Sequence, residues 1–457
     1  MEHKHTSRGN FTGNLGFVLA AAGAAIGLGN IWKFPYLAGS SGGGIFLLIY
    51  VVVCALVGFP LLVAETSIGR HGQSDAYTSF SMIARESKSK NPKFWGILGF
   101  LGTLCGIVIY TYYVVVGGWV TGYAYKVVAE PLGSLDGAAF GAFISSPLAP
   151  LVGTVIFTVL CFIIIFGGIQ KGVEKACKIM LPALFVLLII VGIKVLTLKG
   201  SGEGIKYLFV PNVEHMEAAG GLGKVALAAM CQAFWSLSLG QGIMVIYGSY
   251  QKKDSNLVSN AVSVTILDTA IALLAGVAVL GAVFAFGQEP SAGAGMLFGS
   301  LTLAFGSMGA VGPIFAFIFF IAVLLAAISS AISLLEVSVS FLVDTFHVNR
   351  KKALVWFSVI AFIVSCIASL SNGALAGITI GGLNIFDALG FFAETLLLPL
   401  ASLAVCIFVG WVWKPQNALK EITNEGTIPF KLGKIWGFLI QYLLPIAIAY
   451  IFISGVL

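Results

Sequence analysis

Long apolar stretches separated by short polar breaks recur along the chain. Eleven of them reach the roughly 20 residues that a helix needs to cross a hydrocarbon core about 30 Å thick. They run over 12–36, 44–69, 94–126, 149–167, 173–197, 224–250, 258–287, 312–343, 353–371, 384–413 and 435–457. The runs at 94–126, 312–343 and 384–413 exceed the minimum by about ten residues, which predicts tilted helices projecting beyond the bilayer. The polar-leaning stretches between runs leave no room for a soluble domain. One of them, 288–311, sets five glycines around an apolar LFGSLTLAF and reads as a re-entrant or capping hairpin on the outer face.

Composition agrees with lipid as the main solvent. Of 457 residues, 58% are hydrophobic and only 10% charged, whereas a soluble exterior needs about a quarter. The net charge of +6 does not form a nucleic-acid-binding face, because the cations are sorted by loop. With the N-terminus inside, all but six (Lys33, Lys126, Lys194, Lys199, Lys206 and Lys224) of the 25 Lys and Arg fall on inner loops. A multi-pass place in the cell's inner (plasma) membrane is expected, and the positive-inside rule then orients the chain with its N-terminus cytoplasmic and its C-terminus outside. A cleavable signal peptide over 1–32 is the competing reading, but removing it inverts the charge pattern of every later loop. The seven cysteines (54, 105, 161, 177, 231, 366 and 406) lie in apolar runs without a CxxC pair and read as small hydrophobes.

Two runs look interrupted at mid-membrane. The first holds Gly23, Gly27, Gly29 and Asn30; the sixth holds Ser236-Leu237-Ser238-Leu239-Gly240-Gln241-Gly242. A broken helix is tolerated in lipid only where protein, ion or water re-satisfies the freed backbone groups. Either segment alone reads as small-residue helix packing rather than as a break. Together they occupy equivalent places in two five-helix halves, 12–197 and 224–413, with 435–457 added, and such paired breaks point to a midplane binding site.

The stretch from Asn14 to Tyr36, NLGFVLAAAGAAIGLGNIWKFPY, resembles the first-helix signature of the neurotransmitter:sodium symporter family. The agreement continues through Gly42-Gly43-Gly44, Glu65, Gly69-Arg70, Ser238-Leu239-Gly240 and Ser329-Ser330, and eleven runs resemble its bacterial amino-acid branch. The resemblance implies an all-α integral membrane protein with a five-plus-five inverted-repeat, leucine-transporter-like fold and unwound first and sixth helices.

It also implies two sodium sites. One comprises the Ala25 carbonyl, Asn30, Ser236, Asp268 and a bound substrate's carboxylate; the other comprises the carbonyls of Gly23, Ile26 and Ala326 with the hydroxyls of Ser329 and Ser330. Oxygen ligands of this kind suit a hard cation. Without the family, Ser329-Ser330 reads as hydroxyls bonded back to the preceding turn. Asp268 stands out on its own, since a carboxylate amid Val264-Thr265-Ile266-Leu267 costs roughly 3 kcal/mol to insert unless it meets a partner or cavity. Many family members have Asn here and require chloride, so a fixed acid implies transport without chloride. A protonated Asp bonded to a neighbouring helix is the bland alternative.

For the substrate, outer half-helix N-termini suit a carboxylate. The resemblance places an amino acid against Ala25, Gly27, Gly29, Ser236 and the Tyr113 hydroxyl, with its side chain among Ile109, Trp235, Ser238, Gln241, Ser330 and Leu334. Trp235 replaces the usual Phe lid. Lys33 and Asp387 resemble the outer gate pair, with Lys for the usual Arg, and Arg8, Asp344 and Tyr250 resemble the inner latch. Each charge also reads as snorkelling at the interface. Gly172 and Pro182 match a pattern at which the fifth helix unwinds.

The expected function is sodium-coupled import of a small L-amino acid, hydrophobic or aromatic, by a monomer or weak dimer in the bilayer. Proton coupling, with Asp268 and Glu336 as candidates, or substrate gating on the same fold is the alternative. No enzyme is expected, since all five histidines lie in tails or loops and no HExxH or GxSxG occurs.

Overall fold

A computed structural model describes residues 10–288, 293 and 295–456. Among these, nine of the expected spans are continuous helices: Gly44–Gly72, Pro92–Ala129, Ala149–Phe166, Ile169–Leu196, Leu257–Ala285, Gly309–Phe346, Arg350–Leu370, Ile385–Trp413 and Gly433–Val456. The two remaining spans are the pair the glycines mark. The first runs Asn14–Ala25 and resumes as Gly29–Ser40, bent by 52°. The sixth runs Gly221–Ser236 and resumes as Ile243–Ser249, with residues 237–242 unwound.

The ninth span shows why these segments are lipid-solvated helices. Val355, Trp356, Val359, Ile360 and Ile363 face outward on one helical stripe, while Leu354, Ser358, Ala361 and Ser365 are buried. The lipid face is thus large and apolar throughout, while the protein face mixes Leu354 and Phe357 with small or hydroxylated residues, as expected where helices associate through close packing and hydrogen bonds. Ser365 makes such a link, donating to the Thr111 carbonyl of the third span at 2.6 Å. The third span, with 38 residues, is about 57 Å long at 1.5 Å per residue, well beyond the hydrocarbon core.

On the face predicted to be outer, the glycine-rich stretch forms the short apolar helix Met296–Gly306. It caps rather than re-enters, stacking Phe298 on Phe140 of the short helix Gly137–Ser145, with ring centres 4.5 Å apart. Nearby, Thr379–Ile380 pairs with Leu383–Asn384 through Gly381-Gly382, whose φ of 61° and 84° suit a two-residue hairpin turn.

One expectation needs correction. The fifth span is wound continuously from Ile169 to Leu196, π-helical over Ile169–Glu174 and α-helical past Pro182. Cys177 and Leu181 of this stretch pack against Gly23, so in this conformation side-chain packing on the first span keeps the Gly172–Pro182 segment closed.

Candidate ion and substrate site

The two breaks meet. Ile26 leaves the first helix with extended geometry, at ψ 98°, and the freed Leu28 N–H donates to the Tyr113 hydroxyl at 3.2 Å. In the sixth span Ser238, Gly240 and Gly242 take φ of 52°, 68° and 73°, the left-handed region that glycine enters at no steric cost. The Gly240 N–H donates to Glu65 Oε1 at 2.8 Å, and Ser238 Oγ donates to the Ala24 carbonyl at 2.9 Å, tying one break to the other. Gln232 Nε2 donates to the Gly29 carbonyl at 2.8 Å. Exposed backbone groups thus find partners inside the protein, as mid-membrane breaks require.

On one side of the breaks lies a fully buried polar cluster. Asp268 accepts from Asn30 Nδ2 at 2.7 Å, from Ser236 Oγ at 2.9 and 3.0 Å, and from the Tyr50 hydroxyl at 3.3 Å. Among the described residues no Lys or Arg pairs with it. The Asn30 Oδ1 accepts the Gly27 N–H at 3.1 Å, so the amide's NH₂ rather than its oxygen faces the carboxylate. That NH₂ bridges Ser236 and Asp268 where a cation would be bridged by the same oxygens. Liganding by Asn30 therefore requires its amide to turn.

On the other side, Ser329 Oγ donates to the Ala326 carbonyl at 2.9 Å and lies 3.4 Å from the Ile26 carbonyl. Ser330 Oγ lies 3.4 Å from the carbonyls of both Gly23 and Ile26 and donates to Ala24 at 3.0 Å. All five expected groups of the second sodium site therefore converge, with one of the hydroxyls also bonded back to its own helix. The second cluster presents oxygens alone, and the first does so once the Asn30 amide turns, the set that suits sodium as a transported substrate.

Between the clusters is a narrow pocket lined by Ala25, Gly27, Gly29, Ile109, Tyr113, Trp235, Ser238, Gln241, Ser330 and Leu334. Gly27 is required here: a Cβ at this position would stand 2.9 Å from the Tyr113 hydroxyl and 3.1 Å from Ser330 Cβ. Ser236 is the exception, because its hydroxyl turns to Asn30 and Asp268 instead of lining the pocket.

Above the pocket a vestibule of about 380 Å³ opens between Trp32, Lys33, Tyr112, Trp235, Asp387 and Glu394. The expected Lys33–Asp387 pair is not formed. Lys33 Nζ instead meets Glu394 Oε2 at 2.6 Å, while the Asp387 carboxylate accepts at 2.9 Å from the amide of Asn384, the residue that caps the start of its helix. The opposite end is closed. Phe11 packs edge-on against Phe17, Tyr247 and Tyr250, and its N–H donates to the Tyr250 carbonyl at 3.1 Å. Tyr250 donates to Glu336, which Arg350 grips with two nitrogens at 2.8 and 2.5 Å. The Asp344 carboxylate accepts the Asp75 N–H at 2.9 Å; Arg8, its expected partner, lies outside the described residues.

Sequence reasoning missed Tyr50, Gln232 and Glu394. Glu394 had a readable signal, being an acid within an apolar run. Tyr50 and Gln232 had none, since a lone polar side chain in a span gives no hint of the helix it will face.

The profile of the Sodium:neurotransmitter symporter family matches residues 8–135 and 148–457. The chain is 35% identical over 445 residues, 96% of each chain, to the uncharacterized sodium-dependent transporter YhdH of Bacillus subtilis. It is 32% identical to an uncharacterized sodium-dependent transporter of Haemophilus influenzae, with 100% of both covered. A crystal structure of MhsT in complex with L-phenylalanine superposes with a TM-score of 0.87 at 41% identity, covering 98% of this chain and 100% of that one. The chain belongs to the sodium:neurotransmitter symporter family, and its fold is the all-α, five-plus-five inverted-repeat, leucine-transporter-like one with the first and sixth helices unwound.

Proposed function

We propose that the protein is a sodium-coupled symporter that imports a hydrophobic or aromatic L-amino acid by alternating access, without chloride. The observation that carries this reading is Asp268, a buried carboxylate held by neutral donors alone, at the junction of two broken helices and beside a pocket. A charge so placed is strongly stabilised by a cation. Sodium supplies it reversibly, and a permanent acid removes the need for a bound anion to balance two sodium ions. The largely apolar pocket suits an apolar side chain, and the L-phenylalanine bound by MhsT supports the same class.

Residues 12–197 and 224–413 form the two repeats, with 435–457 outside them. The chain sits in the plasma membrane with its vestibule and C-terminus outside. The transporting unit is a monomer or a weak dimer. A sodium ion moving down a tenfold gradient gives about 1.4 kcal/mol and a 100 mV potential about 2.3 more, so two ions supply roughly 7 kcal/mol. That drives accumulation of a zwitterion, which marks a carrier, not a channel or an enzyme.

The test is uptake of each labelled amino acid into proteoliposomes under an imposed sodium gradient, with choline or gluconate replacing the ions in turn. Choline is expected to abolish accumulation and gluconate to leave it intact. Proton coupling is the second reading, because a carboxylate without a basic partner also binds a proton; uptake unchanged in choline selects it and sinks sodium coupling. A large loss in gluconate sinks chloride independence.

A further inference from the structure

The vestibule holds two carboxylates for one ammonium. Lys33 Nζ is 2.6 Å from Glu394 and 4.7 Å from the centre of the Trp235 ring, so one cation joins the tenth span to the lid over the pocket. Tyr112, next to the pocket residue Tyr113, donates to the other oxygen of Glu394 at 2.9 Å. Asp387 stands seven residues before Glu394 on the same span and lines the same vestibule, its hydrogen bonds among the described residues going to Asn384 at its own helix start. Two helical turns separate the acids by about 10 Å along the axis. The turns around Glu394, Phe391–Leu397, are π-helical, a local widening frequent at functional sites. An ammonium is a compact point charge on a flexible stem and pairs with either carboxylate without the fixed fork that Arg needs.

We propose that Glu394 is the counter-ion of the open outer gate, and that Lys33 exchanges Glu394 for Asp387 as the vestibule closes over Trp235. In the open state Glu394 and Tyr112 hold Lys33 deep in the vestibule, against the Trp235 face. On closure Lys33 moves out to Asp387, and Tyr112 keeps one oxygen of the vacated Glu394 satisfied. Glu394 is thus a positioning residue that sets the balance between open and closed forms. The inference rests on the alternating-access reading above, but its test requires no transport.

A cysteine at Phe391, which is 43% exposed and lines the vestibule, reports opening through its rate of labelling by a neutral maleimide. The native Cys231 and Cys366, the two not buried, are replaced by serine. In this full-length background with sodium present, Glu394→Gln is expected to slow labelling about fivefold, the worth of one partly exposed ion pair, and Asp387→Asn to speed it. Lys33→Met is expected to erase both differences. Glu394→Asp keeps the charge with a shorter reach and is expected to slow labelling less, and it carries the test if Glu394→Gln does not fold. Unchanged or faster labelling in Glu394→Gln, or the same slowing when Lys33 is Met, overturns the proposal. Absence of sodium-driven uptake in the parent protein would instead sink the functional reading and leave these rates measurable.

Discussion

Two carboxylates in this protein are equally hidden from solvent and differently treated. Asp268 and Glu336 are both 0% exposed on membrane helices. Glu336 has a permanent cation, the guanidinium of Arg350, with Tyr250 and Ser340 donating to the same carboxylate. Asp268 has Asn30, Ser236 and Tyr50, all neutral. A buried charge without a fixed counter-charge is one that an exchangeable ion can visit, whereas one with its own Arg is a structural latch. The first lies at the crossing of the broken helices, and the second lies beyond the Phe11 plug. The contrast separates a site that must open and refill from a closure that must hold.

Removing the charge at the first site has the largest expected effect. Asp268→Ala should reduce sodium-driven uptake by at least about 100-fold while the folded protein is retained, since the proposed cation site loses the carboxylate among its expected groups. Uptake within a few-fold of the parent would show that the ion is held elsewhere. Breaking the second site should act on stability instead. Glu336→Gln leaves Arg350 unpaired and is expected to cost about 3 kcal/mol, seen as a lowered melting temperature in detergent. If sodium affinity falls by as much as stability does, the two carboxylates are not separable in role.

Smaller changes sharpen the distinction. Tyr50→Phe removes one neutral donor from Asp268 and should change sodium affinity by about fivefold, read from the sodium dependence of uptake. A separate effect concerns a third acid, Glu421, in the short helix Pro415–Ile422 outside the spans. Its burial opposes ionisation, but the His71 hydrogen bond and the charges of Arg70 and Lys253 outweigh it and hold the carboxyl at about 2, against an ordinary 4.5. A depressed value means that the folded state binds its proton less readily than the unfolded one. Its stabilisation is therefore complete above pH 4.5 and disappears as pH falls toward 2. Melting curves between pH 6 and pH 3 should converge for the parent and Glu421→Gln; parallel curves would remove Glu421 from the acid response.

Much of this was readable in advance. The expected span 149–167 is Ala149–Phe166, and 435–457 is Gly433–Val456, because apolar length in lipid dictates a helix almost regardless of context. The breaks were readable too, once the two runs interrupted by glycines and hydroxyls were taken as a pair at equivalent places in two halves. The partners were not. The outer lysine finds Glu394 instead of Asp387, Ser236 turns from the pocket to Asp268, and the fifth helix stays wound past Gly172 and Pro182.

The chain by itself determined how many times it crosses the membrane, which two crossings break, and which oxygens the breaks release, since these follow from backbone hydrogen bonding in a solvent that offers none. Only the tertiary structure decided which charge is neutralised and which is left waiting. Such pairings depend on side chains from helices hundreds of residues apart arriving within about 3 Å of one another, and no local pattern encodes that meeting.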